Sequence, residues 1–170
     1  MGEKQKFITR RFTYEGLLNY KELFRIMDFW LRDKFYDKHE KRSEEYQTPT
    51  GKQIDFEFTP WKKVTDYYKI NIKIEGLITN LKEVEVEKNG QKVKMHHGRV
   101  NIKITGYLVV DYEPRWSIKG RPLLYFIRTL YDQYIYAMMT RKYYKMVIDH
   151  VNSLYNHMAS YVNIEQYKMD

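Results

Sequence analysis

Residues 83–95, EVEVEKNGQKVKM, hold two alternating apolar and charged runs that meet at Asn89-Gly90. Both central positions of a type I′ turn need positive φ, which Asn and Gly adopt at least cost, so the pair predicts a two-residue hairpin. Placing it in the loop sets Val86 opposite Val93 and Val84 opposite Met95 on one face. Glu87 then faces Lys92, and Glu85 faces Lys94, on the other. A slip of one residue would send every side chain to the wrong face, so the apolar pairs and the charge pairs select one register independently. One face of the hairpin is expected to meet a core and the other to meet water.

The same alternation marks further strands. "KFITRRFTY" at 6–14 predicts a first strand that ends at Glu15-Gly16. "QIDFEF" sets Ile54, Phe56 and Phe58 against Asp55 and Glu57 before Pro60 stops it. "YYKINIKIEGLI" and "RVNIKITGYLVVDY" repeat the pattern with Ile70, Ile72, Ile74 and Ile78, and with Val100, Ile102, Ile104, Leu108 and Val110. Between the first two strands, Leu17–Tyr36 carries Tyr20, Leu23, Phe24, Met27, Trp30, Leu31 and Phe35 on one stripe, the spacing of an amphipathic helix. Residues 38–47 are polar and fit either an extension of that helix or an edge strand. The turn "TPTG" follows them.

From Pro122 to about Val162 there is no Gly or Pro, and the period changes from two to helical. A heptad lattice runs through Leu123, Ile127, Leu130, Tyr134, Ala137, Arg141, Tyr144, Ile148, Val151, Tyr155, Met158 and Val162, with only Arg141 out of character. Forty helical residues would span about 60 Å, against about 40 Å for the diameter of a compact domain of this size. The helix is therefore expected either to break near "TRKYY" (140–144) or to project. Leu124, Tyr131, Ile135, Met138, Met139, Met146, Val147, Leu154 and Tyr161 lie beside the main stripe. An apolar surface that wide calls for cover beyond one flat sheet: a second chain, a curled sheet or an apolar ligand.

These elements predict an α+β fold: one domain over 1–170, an antiparallel meander sheet of five to seven strands, an N-terminal helix and a long C-terminal helix over 122–162. The 170 residues contain no Cys, which excludes disulfides, thiolate metal sites and cysteine nucleophiles, and fits a cytoplasmic protein. Neither a signal-peptide core nor an apolar run of membrane-spanning length is present. Thirty Lys and Arg against 22 Asp and Glu give a formal charge of +8, which favours polyanions, yet the positive residues are dispersed and many alternate with Glu. Nucleic-acid binding is accordingly the weakest of the functional expectations.

The segments "DKHEKRSEEYQTPTGKQIDFEF", "PWKKVTDYYK" and "VEVEKNGQKVKMHHGRVNIKI" resemble an uncharacterised family of small archaeal proteins, and that resemblance implies no activity and no site residues. The order strand, helix, antiparallel strands, long helix is similar to the helix-grip arrangement of START-type lipid-binding domains. It implies a curved sheet around the last helix and a cavity for an apolar ligand.

Chemistry-bearing motifs are scarce. His96 and His97 are neighbours on a strand and point to opposite faces, so they cannot chelate one ion together. His150 and His157 share a helix face with polar neighbours and are expected in solvent. Glu44-Glu45 sits in a charged stretch, and there is no phosphate-cradling Gly-rich loop and no Gly-x-Ser-x-Gly elbow. The chain is therefore expected to be non-catalytic, with no cofactor and no metal. Nine of its 17 tyrosines lie in the last third, where a large ring with a hydroxyl suits an interface or a half-wet cavity. The first expectation is an assembly module that self-associates through the C-terminal helix and sheet edges, a homo-oligomer. The second is an apolar-ligand module. Trp61, Trp116, Tyr131, Tyr134, Met138, Met139 and Tyr155 are the candidate ligand or interface residues, with the two tryptophans at a cavity mouth.

Overall fold

The computed structural model of the chain describes residues 3–88, 90–110, 127, 130 and 137–167. In chain order these form β1 (Glu3–Leu18), α1 (Tyr20–Asp33), β2 (Glu40–Thr48), β3 (Gly51–Phe58), β4 (Trp61–Lys63), β5 (Tyr68–Lys88), β6 (Gln91–Val110) and α2 (Ala137–Tyr167). The strands make one antiparallel sheet in the order β1-β6-β5-β3-β2, with β4 also paired to β5. The α+β architecture with an N-terminal and a C-terminal helix is thus the one that the alternation predicts.

The hairpin register is the expected one: Val86 pairs with Val93, Val84 with Met95, Glu87 with Lys92 and Glu85 with Lys94. The ammonium of Lys94 nevertheless bonds the diagonal Glu83 at 2.8 Å. The expected strands at 67–78 and 83–88 are parts of one strand, β5. They are joined through a register shift between Thr79 and Lys82, where Asn80 takes φ 56. Residues 40–48, which the sequence left open, are an edge strand.

Both helices lie on one face of the sheet. That face is built from Ile54, Phe56 and Phe58 of β3, Ile70, Ile72, Ile74 and Ile78 of β5, and Val100, Ile102, Ile104 and Leu108 of β6, all buried. From α1 it receives Leu23, Met27, Trp30 and Leu31. From α2 it receives Tyr143, Val147, Val151, Leu154, Met158 and Val162. Contact is closest at Gly106, where a Cβ would stand 2.6 Å from Cγ1 of Val147 and 2.7 Å from Cγ2 of Val151. At that point the helix rests on the backbone of the sheet.

Three expectations need correction. The first strand continues through Gly16 to Leu18, and α1 begins only at Tyr20, capped by the Asn19 side chain, which accepts from the Glu22 amide at 3.3 Å. The same helix ends at Asp33 rather than Tyr36. Its end is a Schellman motif: Tyr36 N–H donates to the Leu31 carbonyl at 2.8 Å and Phe35 N–H to the Arg32 carbonyl at 3.0 Å. Phe35 therefore leaves the stripe, taking φ 58 and 81 % exposure, and Tyr36 goes into the core instead. Of the two expectations for the C-terminal helix, a break near 140–144 or projection, the break is absent, since α2 is unbroken there; its expected start at Pro122 lies outside the described residues. Third, the buried stripe of α2 passes through Tyr143, Val147 and Leu154 rather than Tyr144, Ile148 and Tyr155. Val151, Met158 and Val162 belong to both stripes, and α2 is turned by less than one residue step, so that Val147 and Leu154, which flank the lattice, face the sheet.

Candidate functional site

Two surfaces remain that core packing does not explain. The first lies between the helices. Tyr161 Oη donates to the Asn19 carbonyl at 3.2 Å, Trp30 Nε1 donates to Ser153 Oγ at 3.0 Å, and Tyr36 Oη meets His150 Nδ1 at 2.8 Å. Positions rising along α1 meet positions falling along α2, so the helices run antiparallel. Alongside these pins, Ile26 and Phe29 of α1 face His157 and Tyr161 of α2 across an open groove of about 730 Å³. Its rim is polar, with Glu22 and Arg25 ion-paired at 3.1 Å on one side and Asn156 and Ser160 on the other. Phe29 is 73 % exposed. This volume is within the range of small-molecule sites, about 300–1,000 Å³.

Sequence reasoning passed over this groove, although a signal was present. Ile26 and Phe29 are apolar residues on the side of α1 that should be polar, and an apolar pair there needs a reason beyond the core.

The pin at the far end of α1 is a cluster of two aromatic rings and an imidazole. Trp30 stacks on Tyr36 with ring centroids 5.7 Å apart and meets His150 edge-on at 5.9 Å. Burial holds the Tyr36 phenol well above its ordinary value. Burial first, then the nearby Lys62 and Lys34, pushes the His150 imidazole below its own, with Asp149 opposing. Both rings are therefore neutral near pH 7 and satisfied by each other. His150 is accordingly not the solvated residue its neighbours implied; His157 is exposed, its Nδ1 bonded to the Ser153 carbonyl within α2.

The second surface is the opposite face of the sheet, and it takes one of the candidate residues. Trp61 pairs with Asn71, which points away from Ile70 and Ile72, so the indole is on the side without helices, with Lys69 Nζ 3.8 Å from its ring centroid. It cannot stand at the mouth of a cavity between sheet and helix. Tyr155 packs edge-on against Phe12 at 5.7 Å and is part of the half-buried core margin. Met138 is 73 % exposed at the start of α2, and Ile127 and Leu130 are 54 % and 43 % exposed. Trp116, Tyr131 and Tyr134, and the side chain of Met139, lie outside the described residues.

Among the described residues no group of His, Asp and Glu is arranged to hold a metal ion, and no helix is long and apolar enough to cross a membrane. No protein-family model matches the chain, and no curated protein matches it.

Proposed function

We propose that this protein is a non-catalytic assembly module in which the Ile26–Phe29 groove of one copy receives the exposed start of α2, at Met138, of another. The observation that carries the reading is a pair of unmatched apolar features: Phe29 and Met138 are each 73 % exposed. A large side chain that open on a helix is a docking feature when it lines a groove. Met138 and His157 are separated by about 28 Å along α2, at 1.5 Å per residue, so the groove and the exposed surface are different patches. Contact between them is head-to-tail, and such contacts close into rings or run on as filaments. Sheet-edge pairing through β2 is disfavoured, because that strand exposes Glu40, Lys41, Arg42, Glu44 and Glu45 along its length.

The groove's volume also supports a second reading, an apolar small molecule seated on Ile26 and Phe29. Native mass spectrometry of the purified chain at two salt concentrations separates the two. Assembly requires a mass that is a multiple of the chain, insensitive to salt and reduced to one chain by Phe29→Glu and by Met138→Glu. A monomer with a small-molecule increment overturns assembly in favour of the ligand, and a bare monomer overturns both.

A further inference from the structure

The positive residues that are scattered in the sequence are gathered by strand register. On the sheet face without helices, Lys6, Tyr107, Asn71 and Trp61 form one row across β1, β6, β5 and β4, and Lys4, Val109, Lys69 and Lys63 form the next. These eight positions hold four lysines and no carboxylate. Lys63 is paired with Asp66 at 2.9 Å, whereas Lys4, Lys6 and Lys69 have no ion pair among the described residues. Two of them rest on aromatic rings instead: Lys4 Nζ is 4.0 Å from the centroid of Tyr107, and Lys69 Nζ is 3.8 Å from that of Trp61. Burial, followed by the nearby Lys41 and Lys73, holds the Lys4 ammonium below its ordinary value, with Glu57 opposing. Between the two rings, the Oδ1 of Asn71 is buried with no hydrogen-bond partner.

We propose that this face binds single-stranded nucleic acid, with phosphates on Lys4, Lys6 and Lys69 and bases stacked on Trp61 and Tyr107. The chemistry of the rows favours that occupant. Sequence-tolerant single-strand recognition combines a basic track with aromatic platforms, because every base has a π-face. The rings lie two strands apart, about 10 Å at the usual strand spacing. In the free protein the ammoniums of Lys4 and Lys69 each cover a ring; once a phosphate is present each has a stronger partner and uncovers its ring for a base. The surface is on the other side of the sheet from the α1–α2 groove, so the inference does not depend on oligomeric state.

The test is fluorescence anisotropy of labelled 15-mer oligo(dT) and oligo(U) with the full chain at 50 and 200 mM salt, using circular dichroism to check that each variant folds. Binding should be saturable and fall linearly in log K against log salt. Lys69→Ala should reduce that slope by about 0.7. Trp61→Ala should weaken binding by about 5- to 150-fold with the slope unchanged, and Trp61→Phe should restore most of the loss. Lys92→Ala, at the hairpin tip, should change nothing. Absence of saturable binding at 50 mM salt with 100 μM protein overturns the proposal. So does equal affinity for duplex DNA and heparin that Trp61→Ala leaves intact, since that is general polyanion attraction.

Discussion

The hydroxyl of Tyr36 and Nδ1 of His150 stand 2.8 Å apart against the indole of Trp30, joining the end of α1 to the middle of α2. Burial gives this pair a pH signature. The imidazole is harder to protonate in the folded chain than in the unfolded one, where His titrates near about 6.5. Between the folded value and about 6.5 the unfolded chain binds more protons, so stability rises with pH across that window. The contribution is complete above about 6.5 and is lost as pH falls. His96, lowered first by burial and then by Lys21 and Lys52, with Glu83 opposing, has the same sign. The urea midpoint should therefore drop between pH 7.5 and pH 5.5, and His150→Gln should flatten part of that drop. An undiminished slope in the variant would refute the assignment.

Gly106→Ala should destabilise the fold by about 1–3 kcal/mol, the usual cost of overpacking a close contact. The added methyl group would stand 2.6 Å from Val147 Cγ1, 2.7 Å from Val151 Cγ2 and 3.2 Å from Ile8 Cγ2, three atoms of three tightly placed side chains. Pairing it with Val147→Ala makes room on one side and should recover less than it costs, because a buried Val is then truncated as well. Urea denaturation of the two single variants and the double variant measures the coupling. A neutral Gly106→Ala would mean that α2 lies farther from β6 than the structure places it.

Phe35→Gly should stabilise the protein by about 1 kcal/mol. Phe35 occupies the left-handed position after α1 with φ 58, where Gly has no steric penalty, and its ring is 81 % exposed with Lys62 Nζ 5.7 Å from the centroid. An exposed cation–π contact is worth about 0.5–1 kcal/mol, which offsets part of the relief. Thermal denaturation decides the sign. A loss of stability would show that the contact with Lys62 outweighs the strain.

What could be read from the chain alone divides by range. The Asn89-Gly90 hairpin was legible to the residue because turn chemistry, apolar pairing and charge pairing all act within thirteen neighbouring positions. The end of α1 was not, because a Schellman motif usually announces itself with Gly, and here Phe35 fills that place. The side of α2 that meets the sheet was legible only in part: Val151, Met158 and Val162 fit either of two neighbouring stripes, and no local mark at Tyr143 or Val147 says which of them faces the core. Least legible was the Lys4, Lys6, Lys69, Trp61 and Tyr107 surface. Its members come from three separate parts of the chain and become neighbours only because β1 pairs with β6, across the whole length of the sheet.

The bond from Trp30 Nε1 to Ser153 Oγ, at 3.0 Å, sets how firmly α1 is held beside the groove. Trp30 is almost fully buried, so Ser153→Ala strands an indole N–H away from water, which costs about 1–3 kcal/mol. Trp30→Phe removes the donor as well as part of the ring that stacks on Tyr36, so it should cost more by itself. In the double variant neither polar group is left unpaired, and the total should fall short of the sum of the two single losses by about 1 kcal/mol. Amide exchange then gives the structural readout. If this bond pins α1, Ser153→Ala should speed exchange in Leu23–Leu31 more than in the β5–β6 ladder. Equal acceleration in both would mean that α1 opens only with the whole domain, and that the groove lined by Ile26 and Phe29 is as rigid as the sheet behind it.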